Sequence, residues 1–345
     1  MRFRDLKYFA AYIIPILVFC GINFGGWWTF AGVGFAFVIV PLLEPLFRAS
    51  NDNDLEPEKN RKGAIAFFDL LLFLNIPIIY GAIGWFGHRL STDYYSVTET
   101  IGLVLSIGTL IGASGINVAH ELGHRSSPFA QLGAKLLLLP ALYMHFFVEH
   151  NRGHHRHVAT PLDPASAERG EMLYMFWIKS VFGSYLSAWK IQMSLLKAKN
   201  RNFVSTENEM LAFLLITVAY LFTLFLLFGF KGLLAIAAAG IGGFLLLETI
   251  NYIEHYGLRR KQADNGKYER VMPKHSWNSN HHFGRIMLYE LTRHSDHHYR
   301  ASKQYQLLDH HHESPQLPFG YPTAMLASLV PPLWFAIMNK RIPKN

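Results

Sequence analysis

The apolar residues of this chain are gathered into blocks long enough to cross a membrane. A bilayer core about 30 Å thick requires roughly 20 apolar residues per helix. Six blocks approach that length, at residues 8–24, 29–47, 63–86, 98–119, 210–228 and 232–252. Charged residues make up only 16% of the chain, against about 25% in an ordinary soluble domain. The sequence therefore predicts an all-α integral membrane protein with six transmembrane helices, built as one domain over residues 1–345.

The basic residues near the first blocks predict the orientation. Cytoplasmic loops of membrane proteins carry an excess of Lys and Arg. Such residues precede the first block and lie between the second and third, namely Arg2, Arg4, Lys7, Arg48, Lys59, Arg61 and Lys62. We therefore expect the N-terminus and this loop in the cytoplasm. Six crossings then return residues 255–345 to the same side, where we expect a histidine-rich cap.

Residues 129–148 form a seventh apolar stretch, which contains Pro140 and has histidine clusters at both ends. If this stretch crossed the bilayer, the two clusters would lie on opposite sides and could not share a site. It is interpreted as a buried or re-entrant segment, which is tolerated where protein covers its backbone. Residues 165–205 are amphipathic and basic, which is typical of a helix on the membrane surface.

Charge and cysteine content exclude several classes of function. The net charge of +8 is accompanied by no basic repeat or nucleic-acid-binding module, so no nucleic-acid partner is expected. Cys20 is the single cysteine. One cysteine can form neither an intrachain disulfide nor a cysteine-ligated iron–sulfur centre. Any electrons that the chain needs must therefore come from another protein.

Histidine is the residue type that points to chemistry. Three clusters have helical spacing, His120/His124, His150/His154/His155 and His294/His297/His298, and His255 follows the sixth block. Residues four apart lie about one helical turn apart and face the same way. Ionisable groups at a membrane boundary are costly and usually functional. The clusters therefore predict a metal site, with these nine histidines as candidate ligands.

The number of histidines bears on the identity of the metal. Imidazole suits zinc, copper, iron and nickel alike. Residues 120–124 match the H-E-x-x-H pattern of zinc proteases, in which Glu121 would be the general base. A membrane metal transporter is a further alternative. Nine candidate ligands overfill one tetrahedral zinc site, whereas two adjacent metals with open positions fit oxygen activation by iron.

The histidine motifs resemble those of the membrane alkane 1-monooxygenases, which are related to membrane xylene monooxygenases and fatty acid desaturases. The resemblance rests on H-x3-H, H-x3-H-H and H-x2-H-H at the three clusters. Asn251–Gly257 with its His-Tyr-Gly is typical of the hydrocarbon hydroxylases. Further similar stretches are ATPLDPA at 159–165, HSWNSNH at 275–281 and GYP at 320–322.

This resemblance implies a non-haem di-iron site in a bacterial inner membrane, facing the cytoplasm. The nine histidines would be its ligands and catalytic residues. The implied reaction is terminal hydroxylation of medium- or long-chain n-alkanes, taken from the bilayer lipid, with O2 as co-substrate. Rubredoxin, reduced by rubredoxin reductase, would supply two electrons. The sequence ends at Asn345 without the four-cysteine rubredoxin motif, so that partner is expected as a separate protein or on a segment beyond residue 345. The alternative is a fatty-acyl desaturase or another hydrocarbon hydroxylase on the same site.

Supporting roles are predicted for polar residues near the clusters. Metal-binding histidines usually donate their second N–H to a carboxylate or carbonyl. The candidates for this role are Glu121, Glu149, Asp163, Glu254, Asp296, Asn251, Asn278 and His281. His310, His311 and His312 are interpreted as a solvated loop. A basic surface that includes Arg152 and Arg156 is expected to dock a small acidic electron carrier.

Overall fold

The computed structural model describes residues 2–47, 49–92 and 94–343. Arg48, used above to predict the orientation, and the last two residues of the predicted cap lie outside the described residues. Within the described ranges the chain is helical and has no β-strand. Its only β-type pairing there consists of two isolated bridges, Gln262 with Tyr268 and Asn278 with Gln316.

Thirteen helices of six or more residues can be numbered along the described chain. They are α1 (Phe3–Phe24), α2 (Gly26–Leu46), α3 (Glu56–Gly63), α4 (Phe67–Ser91), α5 (Val97–Gly123), α6 (Pro128–Leu138), α7 (146–157), α8 (Leu173–Ala198), α9 (Glu209–His255), α10 (His282–Met287), α11 (His294–Tyr299), α12 (Tyr321–Ser328) and α13 (Pro331–Met338). Single 3-10 turns are also present at Pro273–His275 and Tyr305–Leu307.

Five of these helices, α1, α2, α4, α5 and α9, are long and apolar enough to cross a membrane. The fifth and sixth apolar blocks of the sequence both lie in α9, which has 47 residues. An unbroken helix of that length would extend about 70 Å, more than twice the thickness of a bilayer core. The backbone of Gly229 is not helical (φ 66°, ψ −174°), so it divides α9 into two apolar segments.

Helix α5 is the centre of the bundle. In α5, 78% of the most apolar window is buried inside the protein, against 44% or less in the other four long helices. It packs most extensively on the second segment of α9, where glycines allow a close approach. A Cβ added to Gly108 would lie 3.0 Å from the Ala239 carbonyl oxygen, and one added to Gly243 would lie 2.6 Å from Ile111 Cγ2. Small residues of this kind let membrane helices approach backbone to backbone.

The seventh apolar stretch is not a continuous helix. Helix α6 has only 11 residues, which extend about 16 Å and cannot cross a bilayer core. After it the chain turns through Leu142, whose φ is 55°, and α7 begins at residue 146. The turn packs closely on α9, since a Cβ added to Gly240 would lie 2.4 Å from the Pro140 carbonyl oxygen. The histidine clusters before and after this stretch consequently meet at the same end of the bundle.

The C-terminal residues pack onto the ends of the long helices through a second hydrophobic cluster. Its largest fully buried members include Tyr252, Tyr256, Trp277 and Trp334. The Trp277 indole N–H donates to the Tyr256 carbonyl oxygen at 2.9 Å, which fixes the chain beside the end of α9. This packing carries α11, with three of the predicted histidine ligands, to the ends of α5 and α7.

Candidate metal centre

The structure brings all nine predicted histidines together, in two sets. One ring nitrogen from each member of a set lies within 4.8 Å of those of the other members. The first set has five members, His120, His124, His150, His155 and His297. The second set has four, His154, His255, His294 and His298. The first is called the five-histidine set below, and the second the four-histidine set.

The five-histidine set forms a continuous series of close nitrogen pairs. His120 Nε2 lies 2.7 Å from His297 Nε2, and His297 Nε2 lies 3.2 Å from His155 Nε2. His150 Nε2 lies 3.0 Å from His155 Nε2 and 3.1 Å from His124 Nε2. Two nitrogens bound to one metal at about 2.1 Å are separated by roughly 3.0–3.4 Å at ordinary coordination angles. Apart from the closer pair His120 and His297, the set therefore has the spacing of donors that share one ion.

The four-histidine set contains a pair at the same spacing and, among the described residues, buried ring nitrogens without hydrogen-bond partners. His255 Nε2 and His294 Nε2 are 3.2 Å apart. His154 uses its Nδ1 for a contact with Asp163, while its Nε2 is buried without a hydrogen-bond partner in the described part of the chain. Both ring nitrogens of His298 are likewise buried and unpartnered there. Buried polar atoms normally have partners, so these orphaned nitrogens fit a metal ion as the missing partner.

Local helix geometry explains how the cluster at His150, His154 and His155 contributes to both sets. His120 and His124 lie one turn apart at the end of α5 and belong to the same set. In α7, residues His150–His154 form a π-helical turn. In an α-helix, residues five apart point about 140° away from each other; the wider π turn instead brings His155 back beside His150. His154, between them, joins the other set, so the two histidines four residues apart in this cluster serve different sets.

Most of these imidazoles are held neutral by their surroundings. Burial lowers the pKa of His124 to about 3. Burial, followed by the neighbouring imidazoles, also lowers the pKa of His150, His155, His297 and His298 well below the ordinary value. A neutral imidazole has a free lone pair, and metal binding requires that form. Most of the nine histidines are therefore in the form that binds a cation near neutral pH.

Two of the eight predicted supporting residues contact the histidines directly. Asp163 Oδ2 lies 3.0 Å from His154 Nδ1. Although burial alone would lower the pKa of His154, the Asp163 carboxylate raises it, as expected for a carboxylate that increases the basicity of a ligand. Glu254 Oε2 lies 3.2 Å from His294 Nε2.

The other six candidates make their hydrogen bonds elsewhere or have none. Glu121 accepts from Arg125, Glu149 from the Ser187 hydroxyl, and Asn278 from the Ser295 backbone N–H. Asn251 donates to Glu248, and Asp296 accepts from Lys303. His281 Nδ1 is buried without a partner among the residues that the structure describes. Among the described residues, no side-chain hydrogen bond or ion pair joins any of these six to the nine histidines.

Replacing Asp163 by asparagine should weaken metal binding by the four-histidine set. The change removes the charge that supports His154, and loss of such a partner typically costs 10–100-fold in metal affinity. Titration of the purified protein with a chelator would measure the effect. Asp309→Asn is the matched control, because Asp309 pairs with Lys59 and Lys303 instead. Equal metal retention in both variants would contradict the role given to Asp163.

The interpretation of His310–His312 as a solvated loop is wrong for two of its members. His310 is only 6% exposed, and its Nδ1 lies 2.9 Å from the Asn280 side-chain nitrogen. His311 Nε2 lies 2.7 Å from Asp296 Oδ1. Only His312 is exposed. The polar neighbours in the sequence suggested a solvated loop, but His310 and His311 find buried partners, Asn280 and Asp296, that are distant in the sequence.

Two residues with buried polar contacts were missed in the sequence. The Tyr321 hydroxyl donates to Glu254 Oε1 at 2.5 Å, and Tyr321 lies in the GYP stretch noted above. Glu248 is 1% exposed inside α9 and accepts from the hydroxyls of Tyr143 and Ser180. Acidic residues within apolar spans are rare and need buried partners, and Glu248 could have been singled out on that ground.

An apolar cavity adjoins the histidines. The cavity next to the metal centre is lined by His120, His150, His294 and Glu254, together with apolar side chains. A second cavity, whose lining includes Ile14, Phe37, Val40, Leu246 and Met325, lies deeper among the long helices. The two share a set of residues at their junction, Gly112, Ile250, Leu288 and Tyr321. An apolar chain that fills the second cavity would therefore point one end at the histidines.

Comparison with known proteins gives consistent matches over nearly the whole chain. The family profile of the fatty acid desaturases matches residues 97–326. Alkane 1-monooxygenase 2 of Pseudomonas aeruginosa is 36% identical over 96% of this chain and 91% of that protein. Alkane 1-monooxygenase of Acinetobacter baylyi is 35% identical over 99% of this chain and 86% of that protein. The hydroxylase component of xylene/toluene monooxygenase from Pseudomonas putida is 28% identical over 95% and 87%.

Proposed function

We propose that this chain, which belongs to the alkane 1-monooxygenases within the fatty acid desaturase family, works at two non-haem irons held by its nine histidines. It is an oxidoreductase that hydroxylates alkanes at the terminal carbon. The substrates proposed are medium- and long-chain n-alkanes, with O2 as co-substrate. The observation that carries the proposal is the division of nine ring nitrogens into sets of five and four, each spaced for one ion.

The donor set fits iron. All nine donors are imidazole nitrogens, which suit iron as well as zinc. A structural zinc site is closed by four ligands, and a catalytic zinc takes three from the protein, whereas the five-histidine set exceeds both numbers. Bound iron supplies the activation of O2 for insertion into a C–H bond. The protein supplies the orientation of the substrate and the exclusion of water.

Selectivity for the terminal carbon is assigned to the shape of the apolar cavity. A methyl C–H bond is stronger than the C–H bonds along the chain, so chemistry alone would favour attack elsewhere. The residues around the junction between the two cavities, Gly112, Ile250, Leu288 and Tyr321, bound the approach to the histidines. An alkane that enters from the lipid among the long helices would present its end, and no other carbon, to the metals.

Electrons are proposed to enter at the five-histidine set from rubredoxin, which rubredoxin reductase reduces. His124 and His155 are partly exposed, whereas the four-histidine set is entirely buried. Arg152 and Arg156, next to His155 in the chain, are exposed. A small acidic carrier would be steered to this basic edge by complementary charge and would arrive closest to the five-histidine set.

The proposed setting is the inner membrane of a bacterium. If each of the two segments of α9 on either side of Gly229 crosses the membrane once, the five candidate helices make six crossings. An even number of crossings leaves the two ends of the chain on the same side. The basic residues near the N-terminus then support a cytoplasmic location for residues 255–345 and the metal centre. Residues 1–345 would then form one membrane hydroxylase domain.

The test is turnover of dodecane by the purified, iron-loaded protein with rubredoxin, its reductase and NADH. The expected product is 1-dodecanol, identified by mass spectrometry, with one oxygen atom from 18O2. An alkene from a fatty-acyl substrate would instead support a desaturase, and oxidation of xylene in place of dodecane would support an aromatic methyl hydroxylase. Zinc-dependent peptide hydrolysis without O2 consumption would overturn the proposal altogether.

A further inference from the structure

We propose that Glu254 is a direct metal ligand, the fifth donor of the four-histidine set; this rests on the proposed dimetal function. The two sets are unequal in histidines, five against four. Glu254 is 3% exposed and lines the cavity next to the centre together with His120, His150 and His294. Its carboxylate thus faces the space in which the metals would be bound.

The argument depends on which nitrogen of His294 faces the carboxylate. A supporting carboxylate contacts the ring nitrogen that points away from the metal, as Asp163 does at His154 Nδ1. Glu254 behaves differently. Its Oε2 lies 3.2 Å from His294 Nε2, and the same Nε2 lies 3.2 Å from His255 Nε2. The carboxylate oxygen therefore neighbours the nitrogen that belongs to the donor set.

The spacing between His294 and Glu254 is that of neighbouring donors on one ion. Donors bound to one ion at about 2.1 Å lie roughly 3.0–3.4 Å apart, and both contacts of His294 Nε2 fall within that range. If His294 Nε2 carried a proton and donated it to Glu254, that nitrogen could not also bind a metal. Coordination of both groups to one ion removes this conflict.

Two further features favour an oxygen donor here. The Tyr321 hydroxyl donates to Glu254 Oε1 at 2.5 Å, which holds the carboxylate in place and leaves Oε2 free for an ion. In addition, nine neutral imidazoles leave the charge of two buried cations uncompensated. A carboxylate bound to one of them offsets part of that charge, and buried charges are costly unless paired.

The test uses Co(II), whose visible absorption is stronger when it is four-coordinate than when it is five-coordinate. The wild-type protein and Glu254→Gln are loaded with Co(II) and then titrated with a chelator. We expect Glu254→Gln to absorb more strongly per bound ion. We also expect it to release one of its ions at a chelator concentration on the order of 100-fold lower, the upper end of effects seen for partners of metal ligands.

Glu248→Gln is the matched control. Glu248 is also a buried glutamate on α9, but its oxygens accept from Tyr143, Ser180 and Asn251. The same isosteric change there should leave the Co(II) spectrum unaltered. Should Glu254→Gln fail to fold, Glu254→Asp withdraws the carboxylate by one methylene, and the same increase in absorption is expected.

The outcomes separate this inference from the proposed function. A wild-type chain that binds two Co(II) ions, with Glu254→Gln or Glu254→Asp showing the wild-type spectrum and chelator resistance, overturns the role of Glu254 alone. A wild-type chain that holds no second ion overturns both proposals. Increased absorption in the Glu254 variants, together with an unaltered Glu248→Gln spectrum, supports the carboxylate as a ligand.

Discussion

Replacement of His298 by alanine is expected to lower the bound iron from about two ions per chain to about one, since an incomplete donor set no longer holds its ion. Terminal hydroxylation of dodecane should then fall on the order of 1,000-fold or more, because residues that act as a unit fail together. Both ring nitrogens of His298 are buried and have no hydrogen-bond partner among the described residues, so the substitution breaks no hydrogen bond there. Iron analysis and product measurement on the same sample would check both effects.

The matched control is His312→Ala, which removes an exposed histidine from the same region of the chain. It should keep the wild-type iron content and turnover. Combining His298→Ala with His124→Ala, a member of the other set, should remove both ions with little further loss of activity. Full iron content in the His298 variant would contradict the assignment of two separate ions to the two sets.

Replacement of Ile250 by tryptophan is expected to abolish dodecane hydroxylation while leaving the metal centre loaded. Ile250 lines both cavities at their junction, and an indole there would fill the passage to the histidines. A substrate held even about 1 Å from its reactive position can lose on the order of 100-fold in rate, and a blocked chain should lose at least that much. Turnover and bound iron should be measured together.

Ile241→Trp is the control for this second variant. Ile241 lies on the same helix but is 44% exposed on the outer surface of the protein, where a tryptophan faces lipid. It should be as active as the wild type. If the Ile250 variant still produces 1-dodecanol at the wild-type rate, the alkane must reach the metals by another path.

Much of the helix layout could be predicted from the apolar blocks. The block at residues 98–119 corresponds to α5, which extends over Val97–Gly123. Hydropathy locates such helices well because lipid requires about 20 apolar residues wherever a chain crosses. The gap between the blocks at residues 210–228 and 232–252 likewise coincides with Gly229, where the backbone of α9 is not helical.

The histidines could be identified as candidate ligands from their spacing, but their division into sets could not. Spacing predicts which side chains share a face of a regular α-helix. The π turn in α7 changes that relation for His154 and His155, and the sequence contains no simple signal for it. The partnership of Glu254 with Tyr321 is also hidden, because 67 residues separate them and only packing of the C-terminal residues on α9 brings them together.

The glycine contact between α5 and α9 relates the metal centre to the thickness of the bilayer. Helices in membranes adjust to thickness by tilting. His120 lies about 12 Å along α5 from Gly112, so a change of about 5° in the crossing angle at the contact would move it by about 1 Å. Metal–ligand bonds tolerate only about 0.2 Å. Bound metals would therefore fix the crossing angle of these two helices, and a thicker or thinner membrane would have to be accommodated by tilting of α1, α2 and α4 around them.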